Sequence, residues 1–161
     1  MGKNTTIAWC HHTFSPWRGC AAVSEGCRHC YAETVARRFP KVHGTWGANG
    51  RRVAASERQW REVLKWNAEA EAAGVRKRVF CGSMCDVFEN RLDLKEARNR
   101  LFSLIEVTHH LDWLLLTKRP ENVYPRQAQD YSGKFYARWA QWPRNAWLGV
   151  SVENQEMADK R

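Results

Sequence analysis

The chain has 161 residues, 43% of them hydrophobic and 27% charged, a length that suits a single domain spanning 1–161. Nine Trp, six Phe and four Tyr exclude a solvated, disordered chain, and no run approaches the ~18 consecutive apolar residues of a membrane span. No signal-peptide apolar stretch follows residues 1–6, so a cytoplasmic protein is expected.

Lys and Arg number 26 against 17 Asp and Glu, a net charge of +9. Residues 1–80 hold 14 basic and 6 acidic side chains, whereas residues 81–161 hold 12 and 11. The basic clusters are Arg37-Arg38-Lys41, Arg51-Arg52, Arg58/Arg61/Lys65 and Arg76-Lys77-Arg78. Such a field attracts phosphate polyanions and makes nucleic acid a candidate partner, with a soluble basic surface as the plain alternative.

In chain order, an early strand is expected around residues 6–9. A helix follows Cys30 over residues 31–39 and stops at Pro40. Ser56 caps a helix through Ala73, with Trp60, Val63, Leu64 and Asn67 on one side and Gly74 at its end. A strand is centred on Phe80. Residues 94–109 then carry one apolar stripe (Leu94, Ala97, Leu101, Leu104, Ile105, Thr108), with Asp93 and Glu96 as a capping box. Further strands are centred on Leu115 and Val150, with a weaker helix over 132–141 between them. Phe80, Leu115 and Val150 are 35 positions apart each time. Continuous apolar runs separated by helices imply βαβ units and about four parallel strands, an α/β fold.

In such a sheet the ligand side lies beyond the strand C-termini. Three polar segments converge there: Cys81–Asp86, Thr117–Pro120 and Ser151–Asn154. Each alone reads equally well as an ordinary strand-to-helix turn. Together they favour a site.

Six cysteines without a secretion signal point to metal or redox chemistry rather than structural disulfides. Cys20, Cys27 and Cys30 are spaced C-x6-C-x2-C, with Gly26 as a flexible point letting the third sulfur fold back. That spacing suits tetrahedral zinc, with His29, His12, His43 or Cys10 as fourth ligand. It also suits a 4Fe–4S cluster that leaves one iron free of protein ligand. Uncoordinated core cysteines are the bland reading. His11-His12 and His109-His110 read as polar residues at element ends rather than ligands.

The blocks Phe14-Ser15-Pro16-Trp17-Arg18-Gly19-Cys20, Val23-Ser24-Glu25-Gly26-Cys27 and Cys30-Tyr31-Ala32-Glu33 resemble the signature of a phage-borne three-cysteine-motif family of unassigned function. That family itself resembles radical S-adenosylmethionine (SAM) enzymes. The resemblance continues through residues 80–88, 116–120 and 147–153, nearly the whole chain. It implies a partial (β/α) TIM-type barrel in which Cys20, Cys27 and Cys30 hold a 4Fe–4S cluster whose open iron binds SAM. Ser83, Lys118, Ser151 and Glu153, at strand ends, would then contact the SAM methionine or ribose. Ser15, Ala8 and Cys85 depart from the family's usual Asn, Glu and Ser or Ala, and the spacing differs from the C-x3-C-x2-C of most radical SAM enzymes.

Family members continue past residue 153 through at least two more strands, so a truncated barrel with an exposed edge at residues 147–152 is expected. Self-association or a partner chain would cover it. The sequence thus supports a radical SAM-like iron–sulfur enzyme, phage-encoded, working in a bacterial cytoplasm on nucleic acid or a nucleotide, with Cys85 as a possible catalytic thiol and Cys81 as packing. The competing reading is a zinc-stabilised nucleic-acid-binding module with Trp9, Trp17 and Trp46 stacking on bases. A catalytically dead remnant that survives as a binding protein is the third.

Overall fold

The computed structural model describes residues 2–123 and 142–161. The elements are β1 (Gly2–Lys3), β2 (His12–Phe14), β3 (Trp17–Arg18), α1 (Tyr31–Arg38), α2 (Pro40–His43), β4 (Val53–Ala54), α3 (Glu57–Ala72), β5 (Lys77–Cys81), α4 (Lys95–Val107), β6 (Leu111–Thr117), β7 (Ala146–Val150) and α5 (Gln155–Lys160). One five-stranded sheet runs β1-β2-β5-β6-β7, and β3 and β4 form a separate ribbon. β2, β5, β6 and β7 are parallel to one another, and β1 lies antiparallel on β2. The register places Phe14 beside Cys81, Cys81 beside Leu115, and Thr117 beside Val150, so the strand C-termini share one rim.

The fold is therefore mixed α/β with a mostly parallel sheet, and strands are present at Phe80, Leu115 and Val150, although Val150 is the last residue of β7 rather than its centre. Among the described residues the sheet is open: β1 and β7 are its outer strands, and no barrel closes. The early strand is not at residues 6–9, which form a turn with Cys10 N–H donating to Ile7 O at 3.2 Å. It is β2, disguised by the polar letters His12-Thr13. His12 is 4% exposed because its ring stacks on Trp66 at 4.4 Å between centroids.

α3 starts on a capping box in which Ser56 N–H donates to Gln59 Oε1 at 2.8 Å. Gly74, at φ 63°, follows its last turn. Its buried face is Trp60, Val63, Trp66 and Ala70, while Leu64, expected inward, is 48% exposed. The box expected at Asp93 does not form. A single 3-10 turn (Leu92–Leu94) precedes α4, and the Asp93 carboxylate pairs with Arg91 at 2.6 Å instead of capping. Leu94, Leu101, Leu104 and Ile105 are buried as expected. Pro40 ends α1 and opens α2, where its fixed φ and missing N–H suit a first helical turn. The helix expected at 132–141 lies outside the described residues.

One core joins the sheet to its helices: Phe14, Val79, Cys81, Leu111, Trp113 and Leu115 pack with Trp60, Val63 and Trp66 of α3 and Leu101, Phe102 and Ile105 of α4. Phe14 meets Trp60 and Trp113 at 4.8 and 6.0 Å, both edge-on. Replacing one such buried leucine by alanine costs about 2–5 kcal/mol. The Asn145 carboxamide donates to Ile105 O, Thr108 O and Leu111 O (2.9, 3.1 and 3.2 Å), fixing where β7 begins. His109 and His110 form the turn between α4 and β6, in keeping with their reading as polar residues at element ends. No described helix is long and apolar enough to cross a membrane.

Candidate functional site at the strand C-termini

The rim of the parallel sheet borders a cavity of about 140 Å³. Gly82, at φ 88°, turns the chain out of β5, a left-handed conformation that favours glycine. Ser83, Cys85 and Asp86 from that turn, Thr117, Lys118 and Arg119 from the end of β6, and Ser151 after β7 all line the cavity. Cys20, Ala21, Val23, Cys27 and Tyr31 line it from the cysteine loop.

Asp86 organises the strand side. It is 6% exposed and accepts from Thr117 Oγ1 at 2.9 Å, Lys118 N–H at 3.1 Å, Phe88 N–H at 3.0 Å and Arg119 Nη1 at 3.0 Å. Arg119, also 6% exposed, reaches on to the loop, where Nη2 donates to Ala21 O at 2.7 Å and Nη1 approaches Cys20 Sγ at 3.6 Å. Burial pushes the Cys20 thiol up in pKa, and the Arg119 guanidinium works against that by favouring the thiolate.

Two further bonds brace the loop. Tyr31, the first residue of α1, donates its hydroxyl to Ser83 O at 2.5 Å, tying the helix start to the end of β5. Glu153, beyond β7, accepts from Gly26 N–H at 3.2 Å and from Arg161 Nη1 at 2.7 Å. The Ser24 hydroxyl, then Arg161 and the Gly26 N–H, hold the Glu153 carboxyl down at about 2. The cysteine loop is thus held from the ends of β5, β6 and β7 by three different side chains.

All six cysteines are free, and Cys20, Cys27 and Cys30 are half-buried on this one loop. Cys27 closes a single 3-10 turn (Glu25–Cys27), and Cys30 is the N-cap of α1. Cys20 and Cys27 line the cavity; Cys30 is one residue from Tyr31, which does. Among the described residues no three His, Cys, Asp or Glu side chains are gathered into a group that could hold a metal ion. In donor chemistry the three free thiols suit a thiolate-bound group, and Cys20 and Cys27 line the cavity; they are not gathered around one point, and Cys20 Sγ already contacts Arg119 Nη1 and Ala21 O. Of the other possible ligands, His12 is stacked on Trp66, and Cys10 precedes β2 at the opposite end of that strand from the rim.

Of the residues singled out in the sequence, Ser83, Lys118 and Ser151 line the cavity, whereas Glu153 does not and is engaged by the loop. Cys81 is fully buried in the core, a packing position. Cys85 lines the cavity, and burial raises its thiol well above the ordinary value, which keeps it protonated. Ser15 is 1% exposed and its hydroxyl accepts from Met84 N–H at 3.4 Å. Trp17 is fully buried with the Arg98 guanidinium 5.6 Å over its ring, so it is not available to stack on a base. Trp9 is 46% exposed and packs on Phe80 at 4.7 Å.

Asp86, Arg119 and Tyr31 stand within the sequence motifs, but nothing local to those motifs marks their roles. Their signal is a long-range pairing: Asp86 and Arg119 lie 33 positions apart, and Tyr31 and Ser83 lie 52 apart. Gly26, expected as a flexible point, is not among the glycines with positive φ, so its backbone conformation does not itself call for glycine. A Cβ there would lie 2.7 Å from Glu153 Cδ, so a larger residue would push the Glu153 carboxylate aside.

Comparison with known proteins places the chain in a family. The model described as "Protein of unknown function (DUF5131)" matches residues 4–161, so the chain belongs to that family. No curated protein and no solved structure matches it.

Proposed function

We propose that this member of the DUF5131 family is a radical SAM-like iron–sulfur protein, with Cys20, Cys27 and Cys30 holding a 4Fe–4S cluster. The observation that carries the reading is the placement of three free thiols on one loop, braced from three successive strand ends beside a cavity lined by Lys118 and Arg119. On this reading the open sheet is part of a TIM-type barrel, whose sites also sit at the strand C-termini. A three-thiolate cluster, when bound, supplies one-electron reductive chemistry and an open iron position for SAM.

The chain's own residues divide the remaining work. Ser83 and Ser151 offer hydroxyl groups to a polar ligand, and Lys118 offers a cation to a carboxylate. Asp86 holds Arg119 in place against Cys20, so that a guanidinium donor faces the sulfur and partly offsets the burial and the nearby carboxylates that raise its pKa. Glu153 is reassigned from ligand contact to loop support. The positive field of residues 1–80 supports a nucleic acid or nucleotide as substrate, in the cytoplasm of a phage-infected bacterium. The β7 edge, with Trp147 61% exposed, is where self-association or a partner chain would add.

The competing zinc-stabilised nucleic-acid module draws on the same donors and the same charge, without Trp17. Anaerobic purification decides between them. The expected result is brown protein with about four irons and four sulfides per chain. Cys20→Ala, Cys27→Ala and Cys30→Ala should each abolish the colour, and Cys81→Ala should leave it. Stoichiometric zinc without iron would replace this reading with the zinc module. An intact fold that takes up neither would leave the dead remnant.

A further inference from the structure

Glu153 and Gly26 stand 127 residues apart in sequence, yet the glycine's N–H donates to the Glu153 carboxylate. The approach is close enough that a Cβ at position 26 would lie 2.7 Å from Glu153 Cδ, so a side chain there would displace the carboxylate from its bond. The second carboxylate oxygen is taken by Arg161, whose Nη1 also donates to Ser151 O at 2.6 Å. In this pair the Arg161 side chain is 6% exposed and that of Glu153 is 19% exposed, so the contact is largely covered. Within the turn, Cys27 N–H donates to Ser24 O at 3.0 Å and Cys30 N–H to Cys27 O at 3.2 Å. A pull on Gly26 therefore reaches both later cysteines through backbone bonds. Cys20 is secured separately, through Arg119.

We propose that Glu153 is a positioning residue that latches the Cys27–Cys30 limb of the cysteine loop to the end of β7, with Gly26 as its fitted receptor. The inference deepens the iron–sulfur reading, because this limb supplies two of the three ligands, but the latch itself belongs to the metal-free chain. Arg161 orients the carboxylate so that one oxygen faces the turn. The loop then has an anchor for each limb: Arg119 for the first cysteine and Glu153 for the turn that carries Cys27 and leads to Cys30, with Tyr31 holding the helix start beyond it. A carboxylate accepting a backbone N–H makes a charge-assisted bond, stronger than a neutral one. Its loss should free one limb and leave the other in place.

The test is site-resolved alkylation by iodoacetamide of metal-free protein, read by peptide mass spectrometry, alongside the thermal midpoint and iron uptake. In Glu153→Ala and Gly26→Ala, Cys27 and Cys30 should react about tenfold faster, the effect of losing one charge-assisted hydrogen bond, while Cys20 stays at its own rate. The thermal midpoint should stay near that of the parent chain. Glu153→Gln keeps an acceptor oxygen for Gly26 and should recover most of the protection. Unchanged Cys27 and Cys30 rates in Glu153→Ala, or an equal rise at all three cysteines, would overturn the latch. Hydrogen exchange of the unsubstituted chain covers the case in which a variant does not fold: the Gly26 amide should be protected, and free exchange would overturn the idea. A parent chain that takes up no iron but shows the alkylation pattern would sink the cluster reading while upholding the latch.

Discussion

Arg52 and Glu89 form a two-point ion pair, with Nε to Oε2 at 2.9 Å and Nη2 to Oε1 at 2.5 Å, in which the side chains are only 2% and 5% exposed. The same guanidinium donates to Thr45 O, Gly47 O and Gly50 O, so it gathers the 45–50 loop around itself. A cluster that reads in sequence as two surface cations, Arg51 and Arg52, is thus one exposed residue and one internal brace.

Arg52→Ala should therefore be severe. It leaves a buried carboxylate without its partner, and the expected loss is about 3–5 kcal/mol of stability. Chemical denaturation monitored by tryptophan fluorescence checks this. Arg51→Ala, whose side chain reaches only backbone oxygens of Pro40 and Lys41 at the surface, should cost less than about 1 kcal/mol.

Stability should fall in mild acid because of His12. Burial against Trp66, and then the nearby His11, Lys3 and Lys77, lower its pKa from 6.5 to about 4 in the folded chain, with Glu69 opposing. The unfolded chain binds a proton near pH 6.5 and the folded chain only near 4, so the contribution is fully present above 6.5 and is lost as pH falls towards 4. Comparing urea midpoints at pH 7.5 and 4.5 tests this. His12→Phe should remove a large part of the difference, and an unaltered difference would assign it elsewhere.

Nucleic-acid binding, if the basic half serves it, should follow the residues that are free to reach phosphate. Replacing the exposed Arg51 and Arg58 by glutamine should flatten the salt dependence of single-stranded DNA affinity by about 1–1.5 logarithmic units per tenfold change in salt. Arg52→Gln should lower the folded fraction without this signature. Fluorescence anisotropy across a salt series would show whether the slope changes, and no binding at low salt would dispose of the interaction.

What could be read in advance follows from the range of the forces involved. β5, β6 and β7 announce themselves as apolar runs that recur at equal spacing, although cover on both faces, which such runs suggest, is not found: β6 alternates buried with partly exposed residues and Trp147 of β7 is 61% exposed. β2 does not announce itself, because His12 satisfies burial by stacking on an aromatic ring, which no local pattern records. The cap at Ser56 was legible, and the one at Asp93 failed because Arg91, two residues away, competes for the carboxylate. In the site, Ser83, Lys118 and Ser151 follow from the rule that strand C-termini face the ligand. Asp86 with Arg119, and Gly26 with Glu153, depend on partners brought together by the complete fold. Their chemistry is ordinary; only their distance along the chain conceals it.

The bracing of one loop by Tyr31, Arg119 and Glu153 has a thermodynamic consequence. Anything that binds the loop's sulfurs in the folded chain, and not in the unfolded one, stabilises by mass action the loop and the strand ends to which it is pinned. Loading should therefore be visible far from the thiols, as slower hydrogen exchange along β5, β6 and β7. The sheet would report whatever binds at the sulfurs, and an occupied chain could be told from an empty one without looking at the sulfurs at all.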